Sequence, residues 1–338
     1  MKILVTGGLG YIGSHTVVEL QAAGFEVVIV DNLSNTHIEV LDKIEKISGI
    51  RPSFFEFDLA DRTACSNFFK KENNIDGIIH FAAYKAVGES VEKPLMYYHN
   101  NIGSLINIME NMEQYAIQNI VFSSSCTVYG QPDKLPVDEK APRKPALSPY
   151  GNTKQIAEDI IRDTVYSSAI KSIALRYFNP VGAHHTSLIG ELPLGIPNNL
   201  LPFITQTAAG IRKQLNVFGD DYNTPDGTPI RDYIHVVDLA KAHVVAVKRM
   251  IDNKTKLNFE TFNIGTGNGY SVLEVIKSFE KVSKIKLNYK IVGRREGDVE
   301  QVWADTSFAN NELGWKAERS LDEMTLSAWN FQKQLDKN

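Results

Sequence analysis

From Lys2 onward, short unbroken apolar runs alternate with longer stretches that carry an apolar residue every three or four positions. The apolar runs fall at 2–6, 25–31, 53–58, 77–83, 119–125 and 172–179, and helical spacing fills 13–23, 38–48, 62–72, 103–114 and 152–168. A strand that is apolar at every position must be covered on both faces, and the intervening helices supply that cover. The pattern therefore predicts an α/β fold with a doubly wound parallel sheet. In such sheets ligands sit beyond the carboxyl ends of the strands. Here those ends are small or polar: Thr6-Gly7, Asp31-Asn32, Asp58, Ala82-Ala83, Ser123 to Ser125, and Asn179. One continuous site is expected along them.

After Asn179 the rhythm breaks. Residues 180–232 are rich in proline and glycine, as in GELPLGIPNNLLP and GDDYNTPDGTP, and read as loops with short elements. Regular patterns return at 233–238, 238–251, 261–265 and 271–283. The expected division is a first domain at 1–180, with a contribution from 233–265, and a smaller C-terminal α/β substrate-binding domain at 181–338 laid over the strand ends.

Composition narrows the class. A chain of 338 residues with 43 % hydrophobic and 22 % charged positions has ample material for a core, and its net charge of −4 offers no general attraction to nucleic acid or anionic membrane. Cys65 and Cys126 lie in no metal-type spacing, so reduced thiols are expected. MKILVTGG enters a strand at once, with no charged leader, and no apolar stretch approaches the ~20 residues of a membrane span. A soluble cytoplasmic protein without nucleic-acid or membrane partners is expected.

VTGGLGYIGSH follows the first strand and opens the first helix, placing glycines at 7, 8, 10 and 13. Glycines there permit a tight turn and let backbone N–H groups approach a pyrophosphate at the positive end of the helix. A glycine-rich turn alone is weak evidence. Gly7, Gly10 and Gly13, together with an acid, Asp31, at the end of the second strand, specify a Rossmann-type dinucleotide site. Asp31 suits a ribose hydroxyl pair and would repel a 2′-phosphate, which favours NAD over NADP. Asp58 ends the third strand and suits either the adenine side or a helix cap.

The chemistry is expected at LSPYGNTKQIAED, where Tyr150 and Lys154 share one face at the start of a helix. Tyrosine titrates near ~10, so a base at neutral pH needs roughly 4 kcal/mol of electrostatic help. One cation ~4 Å away supplies about that much at an effective dielectric near ~20. Ser125, at a neighbouring strand end, is the expected hydroxyl donor for a substrate oxygen. His184-His185 lack further ligands at metal spacing, so no metal site is expected. His235 reads as a satisfied core histidine and Cys126 as a small buried thiol.

Taken in order, TGGLGYIGSH, DNLSN, HFAAYKAVGES, SSSCTVYG, SPYGNTK, LRYFNPVGAH, RDYIHVVDLA and RREGD resemble the extended short-chain dehydrogenase/reductase family, and within it the enzymes that epimerise UDP-hexoses at C4. The likeness runs from Met1 to about Trp329. It implies that NAD is lined by Tyr11, Ile12, Asp31, Asn32, Leu33, Ser34, Asn35, Thr36, Asp58, Leu59, Phe81, Ala82, Ala83, Tyr84, Lys85, Asn100 and Phe178. It implies that Tyr150 is the base, that Lys154 lowers its pKa and holds the nicotinamide ribose, and that Ser125 binds the sugar hydroxyl. Asn179, Asn199, Leu200, Asn216, Val217, Phe218, Arg231, Arg295 and Asp298 would hold the UDP part, the arginines as charged forks for a diphosphate. The implied reaction interconverts UDP-glucose and UDP-galactose through a transient 4-ketone, in galactose metabolism and sugar-nucleotide supply. A homodimer joined by helices around 90–115 and 150–168 is implied as well.

Two departures matter. HNNIGS is one residue shorter after Ile102 than the family pattern, which bears on Asn100. Val302 stands where sugar-selective members carry a tyrosine, so room for a 2-acetamido group, and turnover of UDP-GlcNAc and UDP-GalNAc, is expected. A 4,6-dehydratase would need an added acid beside the hydroxyl donor, whereas Ser125 is followed by Cys126 and Thr127. A non-catalytic NAD sensor would have no use for the Tyr150–Lys154 pair, and a net dehydrogenase would accumulate NADH.

Overall fold

The computed structural model describes residues 1–295 and 299–335. The first part of the chain folds as β1 (Lys2–Thr6), α1 (Tyr11–Ala22), β2 (Glu26–Asp31), α2 (Glu39–Ser48), β3 (Ser53–Glu56), α3 (Arg62–Lys71), β4 (Gly77–His80), α4 (Val87–Glu92), α5 (Pro94–Gln114), β5 (Asn119–Ser125), α6 (Pro149–Ser167) and β6 (Lys171–Tyr177). The remainder comprises β7 (Asn179–Val181), α7 (Leu200–Ala208), β8 (Leu215–Phe218), β9 (Ile230–His235), α8 (Val236–Ile251), β10 (Phe259–Ile264), β11 (Gly269–Ser271), α9 (Val272–Ser283), β12 (Tyr289–Val292), β13 (Gln301–Val302) and α10 (Leu321–Leu335).

Seven strands form one parallel sheet in the order β10-β6-β5-β4-β1-β2-β3. Alternating residues of each strand feed opposite cores. Ile3, Val5, Ile29, Ile79 and Val121 pack under α1, α2 and α8 through Val17, Leu41, Ile44, Leu239 and Val247. Leu4, Val28, Ile78, Ile120 and Phe122 pack on the other face under α3, α5 and α6 through Phe69, Leu105, Met112, Ile161 and Val165. That two-sided burial is why these strands are apolar at every position. Residues 236–264 return to this layer, with α8 on one face and β10 at the sheet edge.

A third core gathers the later elements around Val181, Leu201, Ile204, Leu215, Val217, Tyr233, Ile276, Phe279, Met324 and Trp329. β9 is the hub of a small sheet, pairing with β7, β11 and β13. The buried carboxylate of Asp232 on β9 accepts from Thr266 N at 2.8 Å, Gly267 N at 3.0 Å and Ala304 N at 3.2 Å, tying two segments to one strand.

One boundary differs substantially from the periodicity. The helix expected at 103–114 begins at Pro94, and α4 precedes it. The added turns bury Tyr97 and Asn101, residues with polar groups where a helical stripe needs apolar ones, so the amphipathic signal is hidden. Among the described residues, no helix is long and apolar enough to cross a membrane.

Candidate active site

A cavity of about 820 Å³ runs along the carboxyl ends of β1, β2, β3 and β4 to the first turn of α6. Its floor is the glycine turn. Gly7 has φ +68°, and a Cβ there would stand 2.9 Å from Ala82 N. A Cβ on Gly13 would meet Gly7 O at 2.2 Å, so backbone and helix touch where only glycine fits. α1 starts at Gly10 with no side-chain cap and no acid in its first turn, which leaves its positive end open to an anion.

The far end holds a buried acid. Asp31 is buried, and its two carboxylate oxygens accept one backbone N–H each, from Leu9 at 3.1 Å and Leu33 at 3.0 Å. Burial raises its pKa and those two hydrogen bonds oppose the rise. Lone pairs remain for a hydroxyl pair. Thr36 Oγ1 donates to Leu9 O at 2.7 Å, closing the loop after β2 over the glycine turn. Asp58 accepts from Ala60 N at 2.8 Å and from Asn32 Nδ2 at 3.3 Å. The cradle, the open helix end and the buried acid together fit a dinucleotide.

Side chains with no sequence signal brace this floor. Thr6 Oγ1 accepts from Ala82 N at 3.3 Å and lies 2.8 Å from His80 Nδ1. Burial lowers the His80 pKa to about 3, so the ring that shares this hydrogen bond with Thr6 is neutral. Asn101 accepts from Tyr84 N at 2.9 Å and donates to Tyr84 O at 3.0 Å and Thr153 Oγ1 at 3.1 Å. Thr153 in turn donates to Tyr150 O at 2.7 Å, so one buried amide bolts the 81–86 loop to the helix that carries Tyr150. Asn100 faces the cavity, donating to Asn101 Oδ1 at 3.0 Å.

α6 begins as the sequence suggests. Ser148 caps it by accepting from Gly151 N at 3.1 Å, and Pro149 occupies the first turn. Tyr150 and Lys154 are both buried and both line the cavity. The expected close ion–phenol contact is not what holds them. Lys154 Nζ donates to Ser123 O at 2.7 Å and stands 5.9 Å from the centre of the Tyr150 ring. Burial pushes the Tyr150 phenol well above its ordinary pKa, Tyr177 adds to the rise, and a hydrogen bond with Ser125 opposes it. Burial also lowers Lys154 to about 8, with Glu158 opposing. The buried surroundings of Tyr150 thus raise the phenol rather than acidify it.

The other expected residues are placed as follows. Gly7, Gly10, Tyr11, Ile12, Gly13, Asp31, Asn32, Ser34, Asn35, Thr36, Asp58, Leu59, Phe81 to Lys85 and Asn199 line the cavity. Leu33 packs against the apolar core instead, and Phe178 is buried beside Val128 and Val302 while its neighbour Tyr177 faces the cavity. Tyr177 OH lies 2.9 Å from Ser123 Oγ. Its only signal in the sequence was adjacency to a strand end. Asn179 opens β7, opposite Tyr233 of β9. Leu200 opens α7 and packs on the third core, in which Val217 is buried, whereas Asn216 and Phe218 on alternate positions of β8 are exposed. Arg231 Nη1 donates to Ile230 O at 2.8 Å, and Val302 pairs with Arg231 across β13 and β9. Arg295 Nη2 lies 3.8 Å from where a Gly88 Cβ would sit, reaching across to α4. Asp298 falls outside the described residues.

The remaining candidates are structural. His235 caps α8 by accepting from Val237 N at 3.1 Å, and its Nε2 lies 3.1 Å from Ser327 Oγ. Both cysteines are free, and burial pushes each thiol up to about 12. No cluster of metal-ligating side chains occurs among the described residues.

A doubly wound sheet with this glycine turn and a Tyr–Lys pair on the helix after β5 defines a dinucleotide-binding protein of short-chain dehydrogenase type. Residues 4–327 match the family described as GDP-mannose 4,6 dehydratase. The UDP-glucose 4-epimerase of Bacillus subtilis is 51 % identical over 98 % of this chain and 97 % of its own, and that of Mus musculus is 49 % identical over the same shares. Among solved structures, a UDP-glucose-4-epimerase from Stenotrophomonas maltophila with bound NAD and formylated UDP-arabinopyranose superposes with a TM-score of 0.96, at 46 % identity over 100 % of this chain and 99 % of that one. The enzyme from Bifidobacterium longum in complex with NAD+ and UDP gives 0.94, at 46 % identity over 99 % and 98 %. The chain belongs to the UDP-glucose 4-epimerases of the extended short-chain dehydrogenase/reductase family.

Proposed function

We propose that this protein interconverts UDP-glucose and UDP-galactose at C4 through a transient 4-ketone, with NAD held in the cavity. The observation that carries the reading is the placement of Tyr150 and Lys154 on the cavity wall one helical turn apart, facing the glycine cradle. When bound, NAD supplies the two-electron acceptor and donor for C4 and adds a permanent positive charge beside Tyr150. The glycine turn and the open end of α1 hold its pyrophosphate, and Asp31 holds a ribose.

Tyr150 Oη takes the C4 hydroxyl proton as that carbon becomes a ketone, and returns it when the carbon is reduced from its other face. Ser125, hydrogen-bonded with the phenol, orients the same sugar oxygen. Lys154 stays anchored on Ser123 O, which keeps a cation beside the phenol without neutralising it by a direct contact. Arg231 and Arg295 grip the diphosphate from the second half of the chain, so the sugar itself is free to turn over. Position 126 carries a high-pKa thiol and position 127 a hydroxyl, which gives no acid for the elimination a dehydratase performs.

Val302 supports acceptance of the N-acetylated UDP-hexoses as well. The reading includes a cytoplasmic homodimer through α5 and α6, supported by two free thiols and by Leu95 and Tyr166, which are 81 % and 77 % exposed on those helices. The test is incubation with UDP-galactose without added cofactor and chromatographic identification of products. UDP-glucose is expected, and Tyr150→Phe should lower turnover by about 10²–10⁴-fold while NAD stays bound. A deoxysugar product, or NADH formed in proportion to substrate, would refute the proposal.

A further inference from the structure

Glu191 stands where the cofactor side and the substrate side of the cleft meet. It emerges from a hairpin in which Ala183 and Gly190 form an antiparallel bridge and His184 N donates to Ile189 O at 3.1 Å. That hairpin is seated on α10. Ala183 N donates to Ser327 Oγ at 3.2 Å, and a Cβ on Gly190 would stand 2.5 Å from the Phe331 ring. Residue 191 is therefore delivered from a fixed base. Its side chain is only 12 % exposed, against 51 % for Lys85, whose Nζ donates to Glu191 Oε1 at 3.4 Å. The same oxygen accepts from Asn199 Nδ2. Asn199 precedes α7 but makes no cap hydrogen bond with its side chain, because the amide is committed to Glu191.

Lys85 Nζ also sits 5.9 Å from the centre of the Tyr11 ring, and Tyr11 OH donates to Gly182 O at 2.7 Å. The first turn of α1, the loop after β4 and the entry to α7 are thus joined through one carboxylate. We infer that Glu191 is a positioning residue that couples the two halves of the cleft, holding Lys85 toward the dinucleotide and Asn199 toward the sugar nucleotide. Lys85 is half exposed, so its ion pair with Glu191 contributes little to folding. The role of Glu191 is to orient two ligand-binding side chains together, and it rests on the reading of the cleft as a site for NAD and a UDP-hexose. Glutamine in its place retains one acceptor oxygen but loses the charge that holds the ammonium.

The test uses holoenzyme, wild type and Glu191→Gln, and follows loss of bound NAD on dilution with and without UDP. In the wild type UDP should slow the loss. In the variant that protection should shrink by on the order of fivefold, with an unchanged unfolding midpoint for the ligand-free protein, and Glu191→Asp should recover part of it. Equal protection in wild type and Glu191→Gln, or no effect of UDP on the wild type, would overturn the coupling. A lowered unfolding midpoint that accounts for the NAD loss would also overturn it. Wild-type protein that carries no NAD would instead overturn the functional reading beneath it.

Discussion

Glu158 lies on α6, one turn beyond Lys154, and its carboxylate is 0 % exposed. Arg176 on β6 donates to it twice, Nε at 2.9 Å and Nη2 at 2.6 Å, and Ser124 Oγ donates at 2.6 Å. Arg176 Nη1 also donates to Tyr129 OH at 3.0 Å, and that hydroxyl donates to Asn263 Oδ1 at 2.7 Å. The Glu158 carboxylate raises the Arg176 pKa against the opposing effect of burial. In Glu158→Gln either orientation of the amide turns its NH2 toward an Arg176 N–H, and the guanidinium is left buried without its counter-charge. Breaking a buried pair from one side costs about 3–5 kcal/mol. For a chain of this size that corresponds to a melting point lowered by roughly 4–7 °C. Urea denaturation and circular-dichroism melts, with NAD occupancy matched between variants, measure both quantities. The double variant Glu158→Leu/Arg176→Met removes the stranded cation and should recover most of the loss. A loss below about 1 kcal/mol for Glu158→Gln would refute the reasoning, because it would mean that water reaches the pair and screens it.

Acid should destabilise the fold well before the carboxylates titrate. Burial lowers His15, His80 and His235 to about 3, and His184 and His243 to about 4. The unfolded chain takes up these protons near ~6.5 and the folded chain does not, so stability is complete above that pH and falls below it, by up to about 1.4 kcal/mol per pH unit for each ring. Urea midpoints that stay level from pH 7 to pH 5 would contradict this. Val302 is buried in a core with Val128, Tyr129 and Phe178, so the larger ring of Val302→Tyr has to turn out of that core toward the bound sugar; it should abolish turnover of UDP-N-acetylgalactosamine and spare UDP-galactose. Parallel product assays on the two sugars decide it, and unchanged use of the acetylated one would exclude Val302 as the determinant.

Local signals carried the cofactor half of the site. Gly7, Gly10, Gly13 and Asp31 are legible because a tight turn, a helix start and a strand end are short-range events, each with its own residue chemistry. Tyr150 and Lys154 are legible for the same reason, since four residues on one helix lie on one face whatever surrounds them. Sequence spacing does not determine electrostatics across the fold. The ammonium is turned to Ser123 O, and burial raises the phenol, because dielectric and distance depend on what packs around α6. Asn101, Tyr177, Glu158 and Glu191 act through partners 17 residues away for Asn101–Tyr84, 54 for Ser123–Tyr177, 18 for Glu158–Arg176 and 106 for Lys85–Glu191. The start of α5 was hidden because its polar residues are buried by tertiary contacts, which a 3.6-residue period cannot report. Sequence by itself determined the alternating elements, the glycine turn and the placement of Tyr150 and Lys154 on one helix face, all set by neighbours along the chain. Only the tertiary structure decided which polar groups meet, how deeply they are buried and therefore what charge they hold, because those depend on segments brought together by folding.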